Sequence, residues 1–177
     1  MRSLRGFLGA IVILAGIPLA FVANAVLGGG ASEILHLALG ASFLLFAAAV
    51  FDFTLPRWMR LAASAGIGVL GAIFLLQAVS DLTQSASLAG LAYGVLGQSL
   101  EKWLGYIFLL WCAVVVLLDS RGGTRRLGAL TLALAACVEV YSYAVGFLGG
   151  EASPALKLLY VPIFVWLLLE SWKPRES

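Results

Sequence analysis

The stretch Leu127–Leu148, LGALTLALAACVEVYSYAVGFL, carries a single charged side chain, Glu139, in an otherwise apolar or weakly polar run. About 20 such residues are enough to cross the hydrocarbon core of a bilayer as a helix, so this stretch reads as a membrane span. A carboxylate near the centre of a span costs roughly 2.5–3.5 kcal/mol on insertion scales, which directs Glu139 toward a protein interior or a wet cavity rather than lipid.

Working outward, the whole 177-residue chain has the same character. It is 62% hydrophobic and 11% charged, with a mean hydropathy of +1.04. A soluble domain is excluded, because too few polar side chains remain to cover its surface. Apolar runs bounded by Gly, Pro or charged residues predict six helices: Phe7–Leu27, Ser32–Phe53, Met59–Val79, Leu100–Leu118, Leu127–Leu148 and Ala155–Trp172. The expected fold class is an all-α, polytopic membrane protein of one domain over residues 1–177, with both termini cytoplasmic. Between the third and fourth spans, Leu88, Leu91, Ala92, Val95 and Leu96 recur at helical spacing, which predicts a short interfacial or re-entrant helix.

Basic residues set the orientation. With a cytoplasmic N-terminus, nine of them (Arg2, Arg5, Arg57, Arg60, Arg121, Arg125, Arg126, Lys173 and Arg175) fall inside, and only Lys102 and Lys157 fall outside. That asymmetry over short loops is the positive-inside pattern and places the chain in a cell membrane, with a bacterial inner membrane as the expectation. Arg2, Arg5, the run Phe7–Val22 and Ala23-Asn24-Ala25 also fit a cleavable signal peptide. Retention as the first span is the expectation; cleavage would leave the orientation of the rest unchanged.

In this topology the polar side chains sort by depth. Asn24, Glu33, His36, Gln77, Asp81, Gln98, Glu101 and Lys102 all fall toward the outer side. Glu139 lies about 18 Å along its helix from Leu127, with Ser142, Tyr143 and Gly146 on the same face. An outward-opening polar cavity is expected, with Glu139, Tyr143 and Ser142 binding a polar or cationic group and Asp81, Gln77, His36 and Asn24 lining its mouth. The segment over residues 80–99 could cover that mouth as a lid. Other charges have plainer readings. Glu33, Glu101 and Glu151 read as solvated loop charges, and Asp52 as the partner of Arg57 or Arg60. Glu33 and His36 share a face at i and i+3, a spacing also used by metal sites, but one such pair predicts no metal.

Cofactor chemistry is largely removed. One histidine and two separated cysteines, Cys112 and Cys137, give neither a thiol-redox motif nor a bis-histidine haem site. Gly28-Gly29-Gly30 lacks the lysine and context of a phosphate-binding loop, and no serine stands in a G-x-S-x-G setting. No cofactor, metal or catalytic residue is expected, and the small net charge of +2 suggests no nucleic-acid partner. Expected partners are membrane lipids together with a small-molecule ligand or a membrane subunit.

In size, span count and polar outer half the chain is similar to the substrate-binding subunits of energy-coupling-factor vitamin transporters. Gly16 and Ala20 loosely match the small-residue pattern of that family's first helix, and the resemblance carries over no residue roles. Three functions follow from the residues. The first is binding or transport of a small molecule. The second is a non-catalytic subunit or assembly factor of a larger complex. The least favoured is an enzyme using Glu139 and Asp81 on a lipid-like substrate, since no spacing brings both to one substrate.

Overall fold

The computed structural model of the protein describes residues 2–94, 106–150 and 154–174. All described secondary structure is helical. Helix α1 (Leu4–Leu27) begins where the Ser3 side chain accepts the Gly6 N–H at 3.0 Å, a side-chain cap on one of the otherwise unpaired first-turn amides. It ends at Gly28, whose left-handed φ of 68° suits a residue without a Cβ. A second left-handed glycine, Gly30 at φ 80°, completes the reversal into α2 (Ala31–Ala49). The last turn of the second apolar run tightens into a 3-10 turn, Val50–Asp52.

Helix α3 (Arg57–Thr83) follows Pro56 and extends beyond the apolar run at both ends. At 1.5 Å per residue it is about 40 Å long, so its last turn lies past the hydrocarbon thickness of a bilayer. Gln84, at φ 49°, ends it, and the short helix α4 (Ala86–Ala92) packs back against α3. Helix α5 (Tyr106–Asp119) and helix α6 (Gly123–Phe147) follow. The last apolar run splits into a 3-10 segment, Pro154–Tyr160, and helix α7 (Val161–Trp172). Pro162 lies in the first turn of α7, where its missing N–H has no intrahelical partner to lose.

Among the described residues four helices, α1, α2 with its 3-10 turn, α3 and α6, are long and apolar enough to cross a membrane. They pack through small residues. A methyl added at Gly40 of α2 would come within 2.7 Å of Leu75 on α3, and Gly128 of α6 lies under the Trp166 ring of α7. Such close backbone approach is how apolar helices associate where lipid is as apolar as the side chains. The core is aromatic where α2, α3 and α7 meet. Phe43 contacts Phe74 at 5.8 Å and Phe164 at 6.3 Å between ring centroids, and Phe46 stacks on Phe164 at 6.2 Å. Helix α6 is peripheral: 22% of its apolar window is buried, against 50% for α3. Cys112 is buried and Cys137 exposed, both as free thiols.

Candidate functional site

The residues singled out by sequence fall into two groups. The first gathers where α2 begins and α3 ends. The double-glycine reversal sets His36 early in α2, and the length of α3 carries Asp81 up beside it. The backward course of α4 then brings Tyr93 over both. His36 Nδ1 lies 3.1 Å from Asp81 Oδ2, and the Tyr93 hydroxyl donates to Asp81 at 2.7 and 2.8 Å while lying 3.3 Å from His36 Nδ1. A neutral imidazole that donates from Nδ1 to the carboxylate presents Nε2 as an acceptor. The side chains of His36 and Asp81 are each 20% exposed, so the cluster is sheltered without being fully buried. Phe74, with its ring 5.9 Å from that of His36, forms the apolar floor. Gln77, one turn before Asp81, is buried in the bundle beneath it. Asn24 is exposed near the end of α1, and Glu33, expected in a loop, lies half-buried in the first turn of α2, where it accepts the Ser32 hydroxyl at 2.9 Å.

The second group centres on Glu139. Its carboxylate accepts a hydrogen bond from the hydroxyl of Tyr160, a buried residue at the end of the 3-10 segment. Ser142 and Tyr143 follow on the same helix, half-buried. Helix α6 packs mainly against α5, α7 and the 3-10 segment, whereas His36 and Asp81 belong to the α2–α3 pair. Glu139 and Asp81 therefore anchor two polar clusters on different helix groups. Gln98, Glu101, Lys102 and Glu151 lie outside the described residues, as does the side chain of Lys157.

No family model, curated protein or solved structure matches the chain. Its chemistry is therefore read from its own side chains. Among the described residues no group of three or more His, Cys, Asp or Glu could hold a metal ion. The His36–Asp81–Tyr93 cluster instead offers one carboxylate, one imidazole and one phenol, a set suited to binding a cation or a hydrogen-bonding group.

The opposite end of the bundle is held together by charges brought in from three helix ends and the N-terminal residues. Arg2 Nη1 donates to Glu170 at 2.8 Å, and Nη2 donates to the Asp119 carboxylate and, at 3.1 Å, to its carbonyl. The guanidinium also lies 4.8 Å from the centre of the Phe53 ring. Glu170 is fully buried; Lys173 Nζ stands 3.3 Å from its second oxygen as an ion-pair partner outside hydrogen-bond geometry. Thr54 adds two bonds to Asp119, at 2.7 Å from its hydroxyl and 3.2 Å from its amide. The Arg2 and Ser3 amides both donate to the Ser171 carbonyl, at 3.0 and 3.1 Å. Asp52, expected beside Arg57 or Arg60, accepts the Ser3 hydroxyl at 2.7 Å, while Arg60 donates to the Phe51 carbonyl at 3.3 Å. Asp119 follows the apolar run that ends at Leu118. Burial pushes its carboxyl upward, but the Thr54 bonds and the Arg2 charge outweigh that and hold it below the usual aspartate range.

Of these side chains, Tyr93, Tyr160 and Glu170 carry no sequence signal of a role, and Arg2 counts in the sequence only as an orientation and signal-peptide charge. Tyr93 sat in a segment whose apolar spacing was visible but whose direction was not. Tyr160 carried no signal beyond being an aromatic residue in an apolar run.

Proposed function

We propose that this is a six-span membrane protein whose outward-facing end binds, and in a transport cycle passes on, a small polar or cationic molecule. The observation that carries this reading is the convergence of Asp81, His36 and Tyr93 from three separate elements into a partly accessible cluster, at the end of the bundle opposite the arginine-rich one. A carboxylate placed there only for solubility would need no imidazole and phenol around it. Asp81 is the proposed anchor for a cationic or donor group, His36 Nε2 the acceptor beside it, and α4 the cover. Glu139, with Tyr143 and Ser142, forms a deeper polar station along α6, and Gln77 and Asn24 flank the outer cluster.

Six spans are supported by length as well as by charge. The 3-10 segment and α7 together extend for about 32 Å at the rises of the two helix types, comparable to a bilayer core. Helix α5 overlaps the fourth apolar run of the sequence, Leu100–Leu118. The nine-to-two distribution of basic residues favours the His36–Asp81 end outside, in a cell membrane such as the bacterial inner membrane.

A thermal-shift panel of small cations, amines, zwitterions and hydrogen-bonding solutes on the purified protein in mild detergent tests the reading. At least one class should raise the wild-type melting temperature and lose that effect in Asp81→Asn. Stabilisation that persists in Asp81→Asn would remove Asp81 from the site. The second reading, a subunit of a larger complex, is favoured by the peripheral position of α6. A stoichiometric membrane partner in the same preparation, with no stabilising solute, would favour it over the first.

A further inference from the structure

We propose that the loop-to-helix corner at the start of α6 is a binding site for the phosphate headgroup of an anionic phospholipid, with Arg125 and Arg126 as its ligands. An open cavity of about 580 Å³ lies there, lined by Gly122, Gly123, Arg125, Arg126 and Ala129. It is large enough for a lipid headgroup, within the ordinary range of small-ligand sites. Both arginines are exposed, and neither guanidinium has a partner among the described residues.

Among the described residues at this end, no acid is left to pair with them. The described acids nearby are already engaged: Asp119 by Arg2 and Thr54, Glu170 by Arg2 and Lys173, and Asp52 by Ser3. Lys173 is likewise turned inward, donating to the Arg121 carbonyl at 3.1 Å and to Thr124. Arg125 and Arg126 are left facing the cavity. Gly122 and Gly123 add no side chains to the cavity wall. A guanidinium pair of this kind matches the planar, multiply accepting geometry of a phosphate.

The lipid source, rather than free phosphate, follows from what lies next along the helix. Below the arginines α6 exposes Leu127, Leu130 and Leu134, with Leu130 70% accessible, and Ala129 and Ala133 lie between them. This apolar track runs from the cavity toward the bilayer interior, where acyl chains attached to a bound headgroup would lie. A soluble anion would gain nothing from it.

Native mass spectrometry of the full chain, delipidated in neutral detergent, tests this with phosphatidylglycerol, phosphatidylcholine and inorganic phosphate as probes. Phosphatidylglycerol should bind the wild type in preference to phosphatidylcholine. The double variant Arg125→Gln/Arg126→Gln should lose roughly 10- to 30-fold in phosphatidylglycerol affinity. A charge-matched control, Arg5→Gln/Arg57→Gln, removes two exposed cations outside the cavity and should keep the preference. Equal loss in both double variants would overturn the site, leaving only diffuse attraction to a basic surface. Displacement of the lipid by millimolar inorganic phosphate would overturn the lipid as occupant. Circular dichroism melts of both variants within about 2 °C of wild type show that neither result reflects misfolding.

Discussion

Arg2 is the most heavily engaged side chain at the arginine-rich end, and replacing it with Met tests whether that end is held by charge. Met keeps the apolar stem but removes the guanidinium from over the Phe53 ring, together with three hydrogen bonds, to Glu170, to the Asp119 carboxylate and to the Asp119 carbonyl. The main cost comes from Glu170, which is fully buried and would keep only Lys173 at 3.3 Å. Removing one partner of a buried pair costs about 3–5 kcal/mol, and the retained Lys173 argues for the lower end, about 3 kcal/mol. At this chain length that corresponds to a fall of about 6–12 °C in melting temperature. The assay is thermal unfolding in detergent, monitored by circular dichroism, for wild type, Arg2→Met, Glu170→Gln and the double variant. With Glu170 already neutral, the Arg2 substitution should cost only its share of the Asp119 pair, about 1 kcal/mol. A coupling of about 2 kcal/mol is thus expected. Equal losses in both backgrounds, or a fall of less than 2 °C in Arg2→Met, would refute the reasoning.

Three further outcomes follow from the same geometry. Tyr93→Phe deletes the hydroxyl that ties α4 to Asp81, so amide exchange over residues 86–92 should speed up about tenfold while α3 stays protected; unchanged exchange would mean that packing alone holds α4. Gly40→Val forces a side chain into Leu75 and should destabilise by about 1–3 kcal/mol, seen as lower melting temperature and lower yield, whereas Gly29→Val, in an open turn, should be tolerated. The Asp119 carboxyl is held below its unfolded value. Its contribution is therefore fully present above the ordinary aspartate range near pH ~4 and is lost only as pH falls through the lower folded value. Melting temperature should then drop more steeply below pH ~4 in wild type than in Asp119→Asn; parallel curves would contradict it.

The helices were legible because span length and apolar composition are local properties. The departures occur where tertiary packing or proline takes over. The last turn of the second run tightens at Val50–Asp52, and the last run splits ahead of Pro162 into 3-10 and α-helical parts. His36 and Asp81 were recognisable as polar residues at the same end, because an up-down hairpin returns the chain to its starting side. Tyr93 was not, since its position depends on α4 turning back after Gln84. The arginine-rich end was hidden more deeply. Arg2 meets Asp119 and Glu170 across sequence separations of 117 and 168 residues, and at such distances a charge at a span end looks like any solvated terminus. Glu139 was conspicuous by hydropathy alone, but its partner Tyr160 came from a 3-10 segment that apolar periodicity does not distinguish from a helix.

The central claim is that the His36–Asp81–Tyr93 cluster is a wet site facing away from the arginine-rich end and out of the cell. Single cysteines at His36 and Arg126, in a background with Cys112 and Cys137 replaced, test it by reaction with a membrane-impermeant maleimide in intact cells. His36→Cys should label from outside, and Arg126→Cys only after permeabilisation. The reverse pattern, or a His36→Cys thiol that stays unreactive on both sides, would contradict it.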